Sequence, residues 1–325
     1  MFALWKRHRH VAAVAPLMLA MIATAAAQTP YPSRNITLVL PFAAGSGTDT
    51  TTRIISKELG IALGVGMVID NKAGANGSIA ASYVARSAPD GYTLFVTTNT
   101  SHSANPYLLK NMSYDPVKDF TPIARTGDLP FMLVIHPDVP ANSVAELIAL
   151  AKKEPGKYSY ASGSSAAIVA GATFARLAGI DLLHVPYKSS PPALTDLIAG
   201  RVSMMFIDVP TGLPHVNAKA LKSLAVTTKK RSALLPDLPT MDDTVKGFDI
   251  TSWQGYFGPA NMPKDVVTRL NAEIRKVIER PDIKGQLAER GMEAFSGTPE
   301  EFDAFVKEQL KVWEKLITEA GIEKQ

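Results

Sequence analysis

The chain has no cysteine among its 325 residues. Disulfides, lipid-modified cysteine, thiolate metal sites and cysteine nucleophiles are therefore excluded. It also lacks a charge of one sign. Lys and Arg number 34 and the acids 30, but Lys6, Arg7 and Arg9 fall within the first 27 residues, which hold no acid. Beyond them 31 basic residues face 30 acidic ones, and so balanced a body offers nucleic acid no electrostatic footprint. Nor does any run beyond residue 27 approach the ~18 apolar residues that a membrane-spanning helix needs.

The motifs of several chemistries are missing too. Gly45-Ser46-Gly47-Thr48-Asp49-Thr50 supplies two of the three glycines of a dinucleotide fingerprint, with threonine in the third place; Asp70 is the one feature that favours such a site. There is no G-x-x-x-x-G-K-[ST] phosphate loop, no G-x-S-x-G elbow, no S-x-x-K and no H-E-x-x-H. His102, His136, His184 and His215 are scattered. These absences argue against an enzyme, and no cofactor or metal is expected.

What is present begins with MFALWKRHRHVAAVAPLMLAMIATAAA (1–27). A basic patch, an apolar stretch over 11–22 and three terminal alanines are the layout of a secretory signal peptide, whose apolar part is too short to span a bilayer comfortably. The expectation is an exported chain that starts near Gln28. About 300 remaining residues suit two domains of about 150 each.

Pattern and turn signals predict strands over 36–40, 67–70, 93–98, 131–135, 158–161, 182–185, 202–207 and 224–227. Between them lie predicted helices over 50–63, 78–86, 144–151, 166–177 and 193–199. Such alternation predicts an α/β protein with parallel sheets covered by helices. Near the C-terminus, Val266, Val267, Leu270, Ile274, Val277 and Ile278 form one helical stripe. Thr298-Pro299-Glu300-Glu301 then opens a second helix with a cap residue, a first-turn proline and a third-position glutamate. That helix is expected to bury Phe302, Phe305, Val306, Leu310, Trp313 and Ile317. Segments 120–125 and 252–259 are candidate crossings between domains. The expected division is 28–124 with 254–325 as a discontinuous first domain and 125–253 as the second.

Three loops share a chemistry: 43–49, 97–103 and 162–165. Each follows a predicted strand and is rich in small residues, hydroxyls and free backbone donors. Ligands of parallel sheets sit at the carboxyl ends of strands, and loops of this kind solvate an anion with neutral dipoles. For any one loop, turn formation and helix capping explain the same residues; three at equivalent positions point to a site.

Blocks along the whole chain beyond the leader carry a family resemblance. They are YPSRNITLVLPF (31–42) with its Gly-Ser-Gly-Thr-Asp loop, NKAGANGSIAA (71–81), APDGYTL (88–94), VPYK (185–188), DLIAGRV (196–202) and LPDLPT (235–240). On these the chain resembles the Bug family, periplasmic solute-binding proteins of tripartite tricarboxylate transporters. The resemblance implies a two-lobed periplasmic-binding-protein fold of the second, Venus-flytrap type, hinged around a cleft. It implies carboxylate capture by Phe42, Ala43, Ala44, Gly45, Ser46 and Gly47 of the first loop. Ser162, Gly163, Ser164, Ser165 and Ala166 would form the second. Thr98, Ser101, His102 and Asn105 match another cleft-side segment, and Asp208 a position that often faces the cleft. Tyr187 and Phe42 would line the middle of the pocket. Asp49 is assigned to bracing the first loop, because like charge beside an anion is unfavourable. The chain departs from the family pattern at Ser46, at Ser189, at Ile168 and in a shortened 161–167 loop.

The implied partners are a small organic carboxylate, aliphatic or aromatic, and inner-membrane transporter subunits. The protein is expected to act as a periplasmic monomer without nucleic acid. The competing readings are a sensor that reports solute to a membrane receptor and a periplasmic hydrolase, which needs a nucleophile within reach of a histidine.

Overall fold

Apolar strands and capped helices alternate along most of the chain in the computed structural model, which describes residues 30–232 and 235–325. The expected signal peptide, 1–27, lies outside the described residues. The elements are β1 (Ile36–Leu40), α1 (Gly47–Leu63), β2 (Met67–Asn71), α2 (Ser78–Ala85), β3 (Thr93–Thr98), α3 (Asn105–Leu108), β4 (Phe120–Ile135) and α4 (Val144–Lys153). There follow β5 (Ser159–Ser162), α5 (Ser165–Ala178), β6 (Leu183–Pro186), α6 (Ser190–Ile198), β7 (Met204–Asp208), α7 (Val209–Asn217), β8 (Lys222–Val226) and α8 (Met241–Thr244). The chain closes with β9 (Thr251–Pro259), α9 (Lys264–Glu279), α10 (Pro281–Glu289), β10 (Glu293–Ala294) and α11 (Pro299–Glu319).

The strands lie in the order β2-β1-β3-β9-β4-β7-β5-β6, with β8 and β10 also pairing to β4. The expectation of parallel sheets holds at the two ends alone. β1 is parallel to β2 and β3, and β5 to β6 and β7. In the middle, β9 runs antiparallel to β3 and β4, and β4 antiparallel to β7 and β8. The sheet is therefore mixed. β4 is common to both halves: Phe120 to Pro130 pair with β9, and Phe131 to Ile135 with β7 and β8.

Of β4 the pattern predicts only 131–135, with 120–125 read as a candidate crossing; Pro122 and Pro130 stand in the part not predicted as strand. Register shifts beside Pro122 and at Gly127 absorb the irregularity. Gly127 adopts φ 144° and a Cβ there would lie 2.3 Å from the Glu293 carbonyl oxygen, so only glycine lets β10 pair at that point. Four helices, α3, α7, α8 and α10, escaped the sequence pattern. α7 and α10 carry Pro210 and Pro281 within their first turns, where a missing N–H costs nothing. α1 begins three residues earlier than the predicted start at 50.

Distinct apolar clusters fill the two ends. One joins Ile36, Leu38, Leu94, Tyr256 and the α9 stripe. Another, around Leu133, Phe174, Phe206 and Phe248, includes Trp313 and Ile317 of α11. The same helix places Phe302 and Val306 in a third cluster with Phe95, Trp253 and Phe257. α11 thus bridges the cores of both ends of the sheet. Its start is fixed by the capping box, in which Thr298 and Glu301 cap each other's backbone. Phe305 and Leu310, expected to be buried, are half-exposed.

Trp313→Ala removes a large, fully buried side chain from the far end of this bridge and should cost about 3–5 kcal/mol. Urea unfolding checks this; a loss below about 1 kcal/mol would contradict the bridging role of α11.

Candidate functional site

Four helices start at the same crevice. α1 follows β1 and is capped by Ser46, whose hydroxyl accepts from the Asp49 N–H. α5 follows β5 and is capped by Ser164, which accepts from the Ala167 N–H. α6 begins after Ser189. α7 follows β7 and is capped by Asp208, which accepts from the Thr211 N–H. The positive ends of these helices share one small volume, lined by Ser46, Gly47, Thr48, Ser164, Ser190 and Asp208.

Close backbone approach makes the convergence possible. A Cβ on Gly47 would lie 2.1 Å from Asp208 Oδ1, and one on Gly163 would lie 2.2 Å from the Ser190 nitrogen. Gly47 thus rests against the Asp208 carboxylate. A second link is donated by the Ala43 N–H to Ser189 Oγ, 3.1 Å. A third runs from Ser165 Oγ to Asn105 Oδ1, 3.4 Å. These contacts join loops at opposite ends of the sheet.

The crevice so formed is narrow, with a cavity volume of about 20 Å3. Its walls include Phe42, Ser46, Gly47, Thr98, Ser164 and Asp208, six of the expected residues. Thr48, Leu129, Phe131, Ser190 and Ser252 also line it. Of these, Ser190 stands before Pro191-Pro192, a helix-start signal that was readable, and Thr48 belongs to the quoted loop. Leu129, Phe131 and Ser252 arrive through the register of β4 and β9, for which no local pattern exists.

The remaining expected residues stand elsewhere. Ala44 and Gly45 are exposed, and Ala43 is half-buried beside Ser189. Gly163, Ser165 and Ala166 are buried in the backbone that leads into α5. Ser162 is engaged with His184, 2.7 Å from its Nε2. Tyr187 donates to Asp196, 2.7 Å, rather than lining the cavity. Asn105 donates to Tyr114 and to the Asn76 carbonyl. Ser101 pairs with Thr97 and with His102 Nδ1.

His102 sits behind the crevice rather than in its wall. It is completely buried, stacked on Phe257 at 3.9 Å and packed against Phe95 and Phe120. Burial pushes its pKa down to about 3, so the ring stays neutral.

Two acids stand at the crevice, Asp208 in its wall and Asp49 behind the first loop. Burial raises the Asp49 carboxyl, but bonds from Arg53, the Gly45 N–H and Asn71 outweigh it and hold the group below the usual carboxylate range. Since Asn71 also donates to the Phe42 carbonyl, Asp49 and Asn71 together brace the first loop. At Asp208 burial dominates and pushes the carboxyl up, against the bonds from Thr211. No Lys, Arg or His lines the cavity among the described residues, and no cluster there could hold a metal. Among the described residues no helix is long and apolar enough to cross a membrane. An anion in this crevice meets uncharged donors.

Residues 51–322 match the family model described as the tripartite tricarboxylate transporter family receptor. A protein from the tcbD-tcbE intergenic region of Pseudomonas sp. strain P51 is 36% identical over 96% of this chain and 94% of its own length. A solved R. palustris structure with adipate superposes with TM-score 0.89 at 35% identity, covering 91% of this chain and all of that one. The periplasmic binding protein BugD gives TM-score 0.87 at 35% identity, with the same coverage. The fold is accordingly the two-lobed α/β architecture of periplasmic solute-binding proteins.

Gly47→Ala should force α1 and Asp208 apart. A larger radius of gyration by small-angle scattering, at unchanged far-UV helicity, is the expected outcome; identical scattering would contradict the contact. The His102 ring, neutral when folded and titrating near 6.5 when unfolded, gives a second test. Its contribution to stability is complete above about pH 6.5 and declines as pH falls towards 3, by at most about 1.4 kcal/mol per pH unit. Its ring resonances should not titrate between about pH 5 and 8 by NMR.

Proposed function

The chain belongs to the tripartite tricarboxylate transporter receptor family, and on that premise we propose that it captures a small organic carboxylate in the crevice and delivers it to transporter subunits in the inner membrane. The observation that carries this reading is the meeting of capped N-termini from both ends of the sheet around a cavity that, among the described residues, has no cationic side chain. Each terminus offers a negative group about 0.3–1 kcal/mol, more when partly buried. Phe42, Leu129 and Phe131 give the carbon chain an apolar wall. The adipate found with the R. palustris neighbour supports a carboxylate ligand here.

In this account the lobes are 28–124 with 254–325 and 125–253, with the end of α11 reaching across into the second. They part to admit the acid and close on it. The ligand needs only to bind the closed state better than the open one. A micromolar dissociation constant corresponds to about −8 kcal/mol, within reach of a few charge-assisted hydrogen bonds and some desolvated carbon. The protein works as a periplasmic monomer and performs no covalent chemistry. Two Ser–His contacts, Ser101–His102 and Ser162–His184, are the nearest approach to a hydrolytic pair. Neither lines the cavity, and among the described residues neither imidazole bonds to a carboxylate that would orient it.

Calorimetry with dicarboxylates and their diamides tests the reading. Saturable binding of an acid at micromolar concentration with none of its diamide is expected. Equal affinities for the two would contradict carboxylate recognition.

A further inference from the structure

Asp208 is out of place in a crevice built to hold an anion. Among the described residues it is the one ionisable side chain in the cavity wall, only 7% exposed, and no cation stands opposite it there. Its position is also fixed. Thr211 donates to Oδ1 through both its N–H, at 3.0 Å, and its hydroxyl, and Gly47 packs directly against the same oxygen. Turning the carboxyl away would uncap α7 and leave the Gly47 contact empty. It therefore remains in the wall when a ligand enters.

The consequence for the ligand follows from charge and from hydrogen-bond supply. One carboxylate can be met by the N–H groups and hydroxyls at the starts of α1 and α5. A second carboxylate against Asp208 would face like charge. A bare methylene would remove water from the exposed part of Asp208 and return nothing, and an acceptor desolvated without a partner is costly. A hydroxyl or ammonium meets neither objection, because each donates.

We propose that Asp208 sets which organic acids the crevice takes, by accepting a hydrogen bond from a hydroxyl or ammonium group borne on the acid's carbon chain. The favoured ligands are thus 2-hydroxy and 2-amino acids over their unsubstituted counterparts. This rests on the carboxylate-binding reading above and deepens it. A site built to satisfy a ligand donor discriminates strongly against the analogue that lacks it.

The test is calorimetry on the whole chain with matched acids: malate and aspartate against succinate, and 2-hydroxyadipate against adipate. Each donor-bearing acid should bind about tenfold or more tightly than its unsubstituted partner. D208N, with its fold checked by circular dichroism, should bring the paired affinities together. Thr211→Val, which loosens Asp208 while keeping its charge, should narrow the gap in part. If succinate and adipate bind wild-type protein as tightly as the substituted acids, the inference is overturned and the carboxylate reading stands. A preference that survives D208N also overturns the assignment to Asp208. If no acid of either set binds, both readings fall together. The wild-type comparison decides the matter even if D208N does not fold.

Discussion

A missing methyl group governs the site. Because residue 47 is glycine, the Asp208 carboxylate can rest against the first turn of α1. That brings a helix start from one end of the sheet against a helix start from the other. Everything chemical about the crevice depends on this proximity: donors from two sides converge, the cavity between them stays small, and charge enters only through Asp208. Helix dipoles screened by water are worth little, and their value rises when the groups are partly buried. The Gly163 backbone, pressed against Ser189 and Ser190, does the same for the starts of α5 and α6.

The remainder of the fold holds those termini in register while joining the two ends. β4 belongs to both halves of the sheet, pairing with β9 over Phe120–Pro130 and with β7 and β8 over Phe131–Ile135. α11 adds a second connection by burying Phe302 in one core and Trp313 in another. Asp49 and Asn71 stiffen the first loop from behind, so its donors are presented by a rigid turn. Preorganised dipoles need not reorient when an anion arrives, which is what makes uncharged groups effective as an anion site.

The sequence made local features readable and hid those created by register. Thr298 announces a helix start through Glu301 three places on, and the α9 stripe identifies its buried face. Both polar loops at the starts of α1 and α5 were visible as clusters of hydroxyl and glycine residues after apolar runs. By contrast, α7 and α10, which hold Pro210 and Pro281 in their first turns, fall outside the elements that the sequence pattern predicts. Leu129, Phe131 and Ser252 reach the cavity only because β4 and β9 pair as they do. His102 could be placed in the right segment but not on the right side of it. A buried π-helical turn over Thr100–Ala104 directs the imidazole into an aromatic stack, and no sequence period signals that turn.

The central claim is that amide donors at the starts of α1 and α5 hold one ligand anion together. Amide NMR during titration with the acid identified by calorimetry tests it most directly. The account predicts that the N–H resonances of Thr48, Ser165 and Ala166 move downfield together and saturate at the same ligand concentration. Movement confined to one of the two helices, or saturable binding that leaves all three resonances in place, would contradict it.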